Sequence, residues 1–380
     1  MMRVIAFNSR AALIFIYVTD GSMGFGINEG LSTKLKALSL VAIILVVFIH
    51  SYNKEVKFTS GESVGELSDW VLFFENFFSH GVARIATPLF FAISGFLFYA
   101  SFEFTPHGVF DKLKKRFKSL FIPYLFWSVS GLILIFLLQI IPWSRNFFTR
   151  ELIIHYSFSE IVSTILLNPI PYQLWFVRDL IMLMVFSPLI WYLTKSIRGV
   201  WLITLLLLWM VDAKTFELFS NEALLFFTIG CALALDLTGA INKKISKTLS
   251  YYCLAVWLFI VFLTSYIITF GGTFFSLNIL HNIGILIGIL AVWSLYDHVN
   301  QDKISKYSIF LGYSFFIFVF HEPLLTILKK GMFFLLGKTS LSTLIIYLIA
   351  PLVTIGLSML FRYALRKYTP RFYDFATGGR

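Results

Sequence analysis

The amino-acid sequence predicts an all-α polytopic membrane protein, with about ten transmembrane helices, both termini inside the cell and no soluble domain. Of the 380 residues, 58% are hydrophobic and only 13% are charged, whereas soluble domains have about 45–50% apolar and about 25% charged residues. The mean hydropathy is +0.82, and the apolar residues form runs long enough to cross a bilayer. Ten spans are predicted, at roughly 37–56, 81–104, 120–141, 173–194, 199–212, 221–238, 250–270, 277–296, 308–328 and 341–362.

The lysines and arginines between these spans predict which loops lie inside the cell. Cytoplasmic loops carry an excess of Lys and Arg. Placing the N-terminus inside puts more than twice as many of the 31 basic residues in inside segments as in outside segments. The inside groups are Lys34 and Lys36 before the first span, the run 112–118 before the third, Lys195 and Arg198 before the fifth, Lys243, Lys244 and Lys247 before the seventh, Lys303 and Lys306 before the ninth, and Arg362, Arg366 and Lys367 after the tenth.

Three segments follow from this organisation. Residues 1–33 are predicted to be a flexible or interfacial extension, because the apolar run 11–18 is too short to span and lacks the cleavage site of a signal peptide. Residues 34–368 form the transmembrane domain, and residues 369–380 form a short cytoplasmic tail. The net charge of +11 is attributed to inside loops and anionic membrane lipids rather than to nucleic acid, because the basic residues lie between spans.

A histidine lies inside the first apolar span, LKALSLVAIILVVFIH, at position 50. An ionisable side chain within a span is costly and marks a functional site by default. At ~1.5 Å per residue, His50 lies about 9 Å below the outer edge of the hydrocarbon layer. The same arithmetic brings ionisable groups of four other spans to a similar depth. They are Arg84 in the second span, Arg178 and Asp179 in the fourth, His281 in the eighth, and His321 and Glu322 in the ninth.

Structural explanations compete with a functional one at several of these positions. Arg84 and Arg178 could extend to the outer headgroups, and His321 could be an ordinary residue of the aromatic belt. Glu322 precedes a proline, where freed backbone groups need a polar partner. His50 has the weakest structural explanation, because Leu, Val, Ile and Phe surround it on its N-terminal side.

The residue types of this layer suit acyl transfer to an alcohol. Neutral histidine is the usual general base near pH 7, an arginine can stabilise an oxyanion, and a carboxylate can fix the tautomer of an imidazole. Proton-coupled transport would use similar groups, so the chemistry alone leaves both functions open. No internal repeat is evident, which disfavours a repeat-built transporter.

Four motifs resemble those of the membrane acyltransferase-3 family of integral membrane acyl-CoA:carbohydrate O-acyltransferases. The ending VVFIH of the first span places His50 where the family has its proposed catalytic histidine. FFAISGFL at 90–97 resembles the family's Phe-Phe-x-x-Ser-Gly-Phe-Leu signature, and KLKKRFKSLFIPYLFW at 112–127 resembles its basic loop before a proline-started span. YQLWFVRDL at 172–180, together with YSFFIFVFHEPLL at 313–325, completes the set in the expected order.

The resemblance implies transfer of an acyl group, usually acetyl, from cytoplasmic acyl-CoA to a hydroxyl of an exported or cell-surface glycan at the bacterial inner membrane. His50 would be the general base, and Arg84, Arg178, His321 and Glu322 would complete the catalytic set. Acetyl-CoA or another acyl-CoA is then the donor substrate. A carbohydrate or lipid-linked glycan is the acceptor, and neither a tightly bound cofactor nor a metal is expected.

Donor-binding residues are expected on the inside and along the second span. The basic run 112–118 could hold the phosphates of CoA, although a topology anchor explains the same charges. The Ser94–Gly95 pair permits close helix approach and is predicted to line a passage for the pantetheine arm; Ser94 as a covalent nucleophile is disfavoured because it lies well below His50. The predicted donor residues are Lys112, Lys115, Arg116, Lys118, Ser94, Gly95 and Trp175.

One position departs from the family pattern, and two other functions stay open. Many members carry an arginine eleven residues before the first-span histidine, where this chain has Ser39. Lys36 is the nearest basic residue, but its ammonium lacks the planar fork of a guanidinium. The alternatives to an acyltransferase are an exporter or flippase of a glycan or its lipid-linked unit, and a non-catalytic bundle that binds a small ligand.

Overall fold

The computed structural model describes residues 27–54, 56, 67–101, 104–145, 148, 151–213, 215–235, 238–272, 275–299 and 308–379, which form helices and turns without a strand. The all-α prediction is confirmed. The helices are α1 Glu29–His50, α2 Asp69–Glu75, α3 Ala86–Tyr99, α4 Pro106–Arg116, α5 Ile122–Ile140, α6 Pro142–Arg145, α7 Phe158–Leu166, α8 Trp175–Val185, α9 Ser187–Met210, α10 Asn221–Leu235, α11 Thr238–Ile241, α12 Lys247–Phe270, α13 Phe275–Tyr296, α14 Ser314–Leu336, α15 Ser340–Tyr368 and α16 Pro370–Thr377.

Seven helical segments within these ranges are long and apolar enough to cross a membrane, so the protein is a multi-pass membrane protein. α10 is apolar but shorter, with 15 residues. α14 has 23 residues and carries Glu322, Lys329 and Lys330 along its length. The total of ten crossings stays a prediction.

The first helix begins and ends earlier than predicted. α1 covers residues 29–50 instead of 37–56, and its N-terminus is capped by the Asn28 side chain, which accepts a hydrogen bond from the Leu31 amide at 2.8 Å. Residues 29–33 therefore belong to α1 rather than to the predicted extension, most of which lies outside the described residues. His50 is the last helical residue, because side chains of other helices bind the backbone that follows it.

The second span also extends further than predicted. A continuous helical segment runs over Asp69–Tyr99, with a π-helical turn and a 3-10 turn between α2 and α3. Glu75 interrupts the apolar run in the sequence, but it is fully buried because Asn53 donates to both of its carboxylate oxygens, at 3.0 and 2.8 Å. Arg84 consequently lies about 22 Å along this segment, not near the predicted outer entry at residue 81.

The predicted fourth span is broken in the structure. α8 ends at Val185, and α9 begins at Ser187 after the non-helical Phe186. Pro188 explains the break, because it has no amide hydrogen to donate to the Met184 carbonyl and is well suited to the first turn of a new helix. The predicted boundary between the fourth and fifth spans coincides with a bend in α9 at Ile197.

The core lies where α1, α3, α8, α10 and α14 meet, and many apolar side chains of α5, α9, α12 and α15 are exposed on the outside of the bundle. α3 and α10 make the closest crossing. A Cβ atom on Gly95 would lie 2.2 Å from the Phe227 carbonyl oxygen, and one on Gly230 would lie 2.3 Å from that of Ala92. Both positions therefore require glycine.

The predicted C-terminal tail folds back onto the bundle as α16. The indole nitrogen of Trp127 in α5 donates to the Ala376 carbonyl at 2.8 Å, and Arg362 donates to the Tyr373 hydroxyl at 3.1 Å. Tyr373, Ala376 and Thr377 are buried while Phe372 and Phe375 are exposed. This one-sided burial is typical of an amphipathic helix.

Candidate active site

Three aromatic rings from separate parts of the chain meet at the C-terminal end of α1. The His50 imidazole stacks on that of His321 in α14, with ring centroids 5.3 Å apart and an interplanar angle of 21°. Tyr172, in the 3-10 turn before α8, meets His50 edge-on at 4.8 Å. The structure thus brings together the two histidines that sequence analysis placed at one depth in the first and ninth spans.

The bend in α14 determines how His321 is presented. Glu322 has extended backbone angles, with φ −111° and ψ 136°, as expected before Pro323. In the turn before the bend, the His321 Nδ1 atom lies 3.1 Å and 2.7 Å from the carbonyl oxygens of Ile317 and Phe318. Since carbonyls only accept, Nδ1 must carry the hydrogen. The Nε2 atom of neutral His321 is then an unprotonated base, and it is buried with no hydrogen-bond partner among the described residues.

Side chains of the turn before α8 support this bend from the opposite side. Pro323 has no amide hydrogen to give to the Val319 carbonyl. Gln173 donates its side-chain amide to that oxygen at 3.4 Å and to the Glu322 carbonyl at 3.0 Å. Tyr172 donates to the Glu322 carboxylate at 3.3 Å. Glu322 is therefore linked to His50 through Tyr172, whose ring meets the imidazole edge-on.

Two cavities lie next to this cluster and share the side chains of Arg84 and Trp175. A small cavity of about 150 Å³ is lined by His50, Gln173 and apolar residues of α1, α3 and α14. A larger cavity of about 850 Å³ lies beside it and is rich in polar groups. Its polar and aromatic lining consists of Arg84, Trp175, Trp209, Asp212, Thr215, Phe216, Glu217, Ser220, Asn221, Glu222, Asn278, His281 and Asn282.

Arg84 stands between the two cavities. Its guanidinium pairs with Glu222 of α10 at 3.2 Å and leaves 35% of the side chain exposed. The Trp209 indole donates to the same carboxylate at 3.4 Å. A half-exposed guanidinium beside the histidine cavity is placed to stabilise negative charge that develops there.

The side chains of Arg178 and Asp179 do not face the His50 cavity. Arg178 donates to the Leu167 carbonyl at 2.6 Å and pairs with Asp179 at 2.9 Å. Asp179 also accepts from the Ser220 amide at 3.1 Å. This pair ties the start of α8 to neighbouring loops, and neither residue lines the His50 cavity. Helical rise gives the height of a residue but not the direction of its side chain, so it could not separate Arg178 from Arg84.

In the basic run 112–118, which is predicted to bind the donor, some side chains are enclosed by the protein and others are exposed. Arg116 is buried, and Lys112, one helical turn earlier, is half-buried and donates to the Ser101 hydroxyl. Lys115 and Lys118 are exposed. Lys112 and Arg116 are thus sheltered by the protein, whereas Lys115 and Lys118 are not.

The Ser94–Gly95 pair lies deep in α3. Gly95 faces the backbone of α10, so its lack of a side chain serves the α3–α10 crossing described above. Ser94 is half-buried. Trp175, by contrast, reaches the site, since it lines both cavities.

Sequence analysis missed several polar residues around His50. Tyr172 and Gln173 lie within a quoted motif but were given no role. Lys329 and Glu75 fall outside the predicted spans, although each is buried in the bundle. The Ser68–Asp69 pair, a common helix start, was the available signal that the second helix begins well before residue 81.

Comparison with known family models identifies the family of the chain. The acyltransferase-3 family model, which describes an acyltransferase domain, matches residues 34–363. The chain belongs to the acyltransferase-3 family. The resemblance noted in the sequence is thereby confirmed, and the protein is a membrane acyltransferase.

This acyltransferase is similar to one curated protein over almost its whole length. The succinoglycan biosynthesis protein ExoH of Rhizobium meliloti (strain 1021) is 24% identical to it over 373 residues, covering 93% of this chain and 94% of ExoH. No solved structure matches the chain.

Proposed function

We propose that this membrane acyltransferase moves an acyl group from cytoplasmic acyl-CoA to a hydroxyl of an exported or cell-surface glycan, with His50 as general base. The family supports the acyl transfer. A glycan acceptor and a bacterial inner-membrane location are inferred from the similarity to a succinoglycan biosynthesis protein of Rhizobium meliloti.

The observation that carries this proposal is the stacked pair of His50 and His321, because His50 lines a small cavity that shares Arg84 and Trp175 with a polar cavity of about 850 Å³. A cavity of this size lies within the range of pockets that bind small molecules, about 300–1,000 Å³. Trp175 and Trp209 offer aromatic faces, and Asn278 and Asn282 offer amide groups for hydroxyls. The sugar hydroxyl would enter the small cavity past Arg84.

In the proposed reaction, the acyl group moves from the sulfur of CoA to the oxygen of a sugar hydroxyl. The sugar oxygen attacks the thioester carbonyl carbon, a C–O bond forms, the C–S bond breaks, and CoA leaves as a thiolate. His50 takes the hydroxyl proton and then returns it to the thiolate, so protons balance. His321 supplies a second unprotonated nitrogen beside it, and Arg84 stabilises the oxyanion.

The donor is proposed to bind from the opposite, cytoplasmic side. Lys112 and Arg116 face into the protein, so they are the cations best placed to hold the phosphates of CoA, while Lys115 and Lys118 would add long-range attraction. Acetyl-CoA and succinyl-CoA are both candidate donors. The acceptor is a carbohydrate or a lipid-linked glycan.

Labelled acyl-CoA tests the proposal in purified protein reconstituted into vesicles. We expect transfer of label to a glycan acceptor and release of free CoA, both lost in His50→Gln. The matched control is His107→Gln, because His107 is exposed on α4, with 88% of its side chain accessible. Full activity in a folded His50→Gln variant would refute the base assignment.

The rival functions predict different outcomes in the same vesicles. An exporter would move unmodified glycan across the membrane without consuming acyl-CoA. A non-catalytic binding bundle would neither release CoA nor transport glycan. Either result would overturn the proposed acyl transfer.

A further inference from the structure

We propose that Lys329 is a positioning residue for His50, and that its ammonium and the Glu75 carboxylate together hold the chain at the end of α1 so that the His50 imidazole stays stacked on His321. The inference rests on the proposed function for its catalytic consequence, but the positioning itself is a structural property. Lys329 belongs to α14, and Glu75 is the last residue of α2.

The first observation is how Lys329 binds the end of α1. Helix C-terminal carbonyls have no intrahelical partners and carry negative partial charge. The Lys329 ammonium donates to the His50 carbonyl at 3.2 Å and to the Tyr52 carbonyl at 2.9 Å. Lys329 is only 3% exposed, so these oxygens replace the water that a lysine normally keeps. Such a contact holds the backbone of the proposed base, not only its ring.

The second observation is that the next residues are held from the other side. Glu75 accepts hydrogen bonds from the Asn53 amide and side chain, and Asn53 also donates to the Thr343 carbonyl at 3.0 Å. Glu75 is fully buried. Residues 50–53 are thus bound by a cation and a carboxylate at successive positions, which leaves little freedom to the turn after His50.

The third observation is that one helix supplies both contacts with His50. α14 stacks the His321 ring on His50, and about two helical turns later it provides Lys329. Because ring and carbonyl of His50 meet the same helix, removal of Lys329 should let the imidazole move relative to His321. A lysine that merely filled space would leave the His50 environment unchanged.

Chemical labelling of His50 measures this without any enzymatic assay. Diethyl pyrocarbonate modifies unprotonated imidazoles, and peptide mass spectrometry gives the rate at each histidine in the full-length protein. We expect Lys329→Met to change the His50 rate by about threefold or more, Lys329→Gln to change it less, and Lys329→Arg to stay near wild type. The exposed His155 is the internal reference, and Lys330→Met is the matched control on the same helix.

Turnover provides the second readout. In acyl transfer, Lys329→Met should lower kcat about tenfold or more with little change in the KM of either substrate, and Lys329→Arg should restore most of it. An unchanged His50 labelling rate in folded Lys329→Met, or an equal change in Lys330→Met, would overturn the inference. If Lys329→Met does not fold, an unchanged rate in folded Lys329→Gln overturns it instead.

The two readouts separate this inference from the proposed function. Wild-type protein that transfers no acyl group, combined with Lys329-dependent labelling of His50, would refute the proposed function and support the positioning role. If the wild-type protein is active, but Lys329→Met changes neither the labelling rate of His50 nor kcat, the proposed function is supported and the positioning role is refuted.

Discussion

The two ends of α1 are each held by a buried lysine, but the two lysines are satisfied differently. At the beginning of the helix, Lys34 pairs with the Asp297 carboxylate at 2.8 Å and lies 4.1 Å over the Trp293 ring. At its end, Lys329 of α14 donates to the main-chain carbonyls of His50 and Tyr52.

The difference separates a structural role from a functional one. Lys34 pairs with an opposite charge, and this ion pair joins α1 to the end of α13 without contacting the site. Lys329 binds the backbone of a residue whose ring faces a cavity. Changes near Lys34 should therefore affect stability, and changes near His50 should affect chemistry.

The largest effect is expected for His321→Asn at the His50 end. Asparagine keeps a donor for the Ile317 and Phe318 carbonyls but has no basic nitrogen beside His50. Turnover of acyl-CoA should fall by about 10²–10⁴-fold, the usual contribution of an acid–base group, with the melting temperature nearly unchanged. A folded variant with wild-type kcat would show that His321 is structural, like Lys34.

Removing Lys34 should have the next largest effect, and on stability alone. Lys34→Met leaves Asp297, with only 11% of its side chain exposed, without its partner, which costs about 3 kcal/mol, the lower end of the range for a broken buried pair. Reversible unfolding in mixed micelles measures this, while turnover per folded molecule should stay at the wild-type level. The double variant Lys34→Met/Asp297→Asn should recover much of the loss. A fall in kcat of folded Lys34→Met would contradict the proposed division between the two ends.

A smaller loss of stability is expected for Gln173→Leu. The substitution leaves the Val319 and Glu322 carbonyls without their donor at the bend of α14, at a cost of about 1–3 kcal/mol. Asn168→Leu is the control, because that exposed side-chain amide makes a long hydrogen bond of 3.4 Å to the Ser163 hydroxyl. Equal unfolding free energies for the two variants would show that the bend does not depend on Gln173.

The smallest effect concerns the donor cluster at the inner side. Lys112→Gln should raise the KM for acyl-CoA about tenfold, equivalent to about 1.4 kcal/mol, because Lys112 faces inward beside Arg116. Lys115→Gln should change it much less, since a solvated lysine contributes little. Steady-state kinetics with both variants tests the assignment, and a larger effect of Lys115 would place CoA on the exposed face.

The sequence predicted that His50 and His321 lie close together, whereas it could not predict the direction of each side chain around its helix. His50 and His321 were placed at one level, and they stack. Arg84 and Arg178 were treated as equivalent, yet Arg84 lines the cavity and Arg178 bonds to the Leu167 carbonyl. Helical rise gives the height of a residue, but neighbouring helices decide which faces meet.

The sequence by itself determined that this protein is an all-α membrane protein of the acyltransferase-3 type, because composition, basic loops and ordered motifs are properties of the chain. Only the tertiary structure decided that α1 ends at His50, that Glu75 is buried, and that Lys329 binds the end of α1. Those outcomes depend on hydrogen bonds between residues more than twenty positions apart. Burial of a polar group costs free energy unless the group is hydrogen-bonded. Here the partner lies in a distant segment, so the local sequence does not show whether the group is buried.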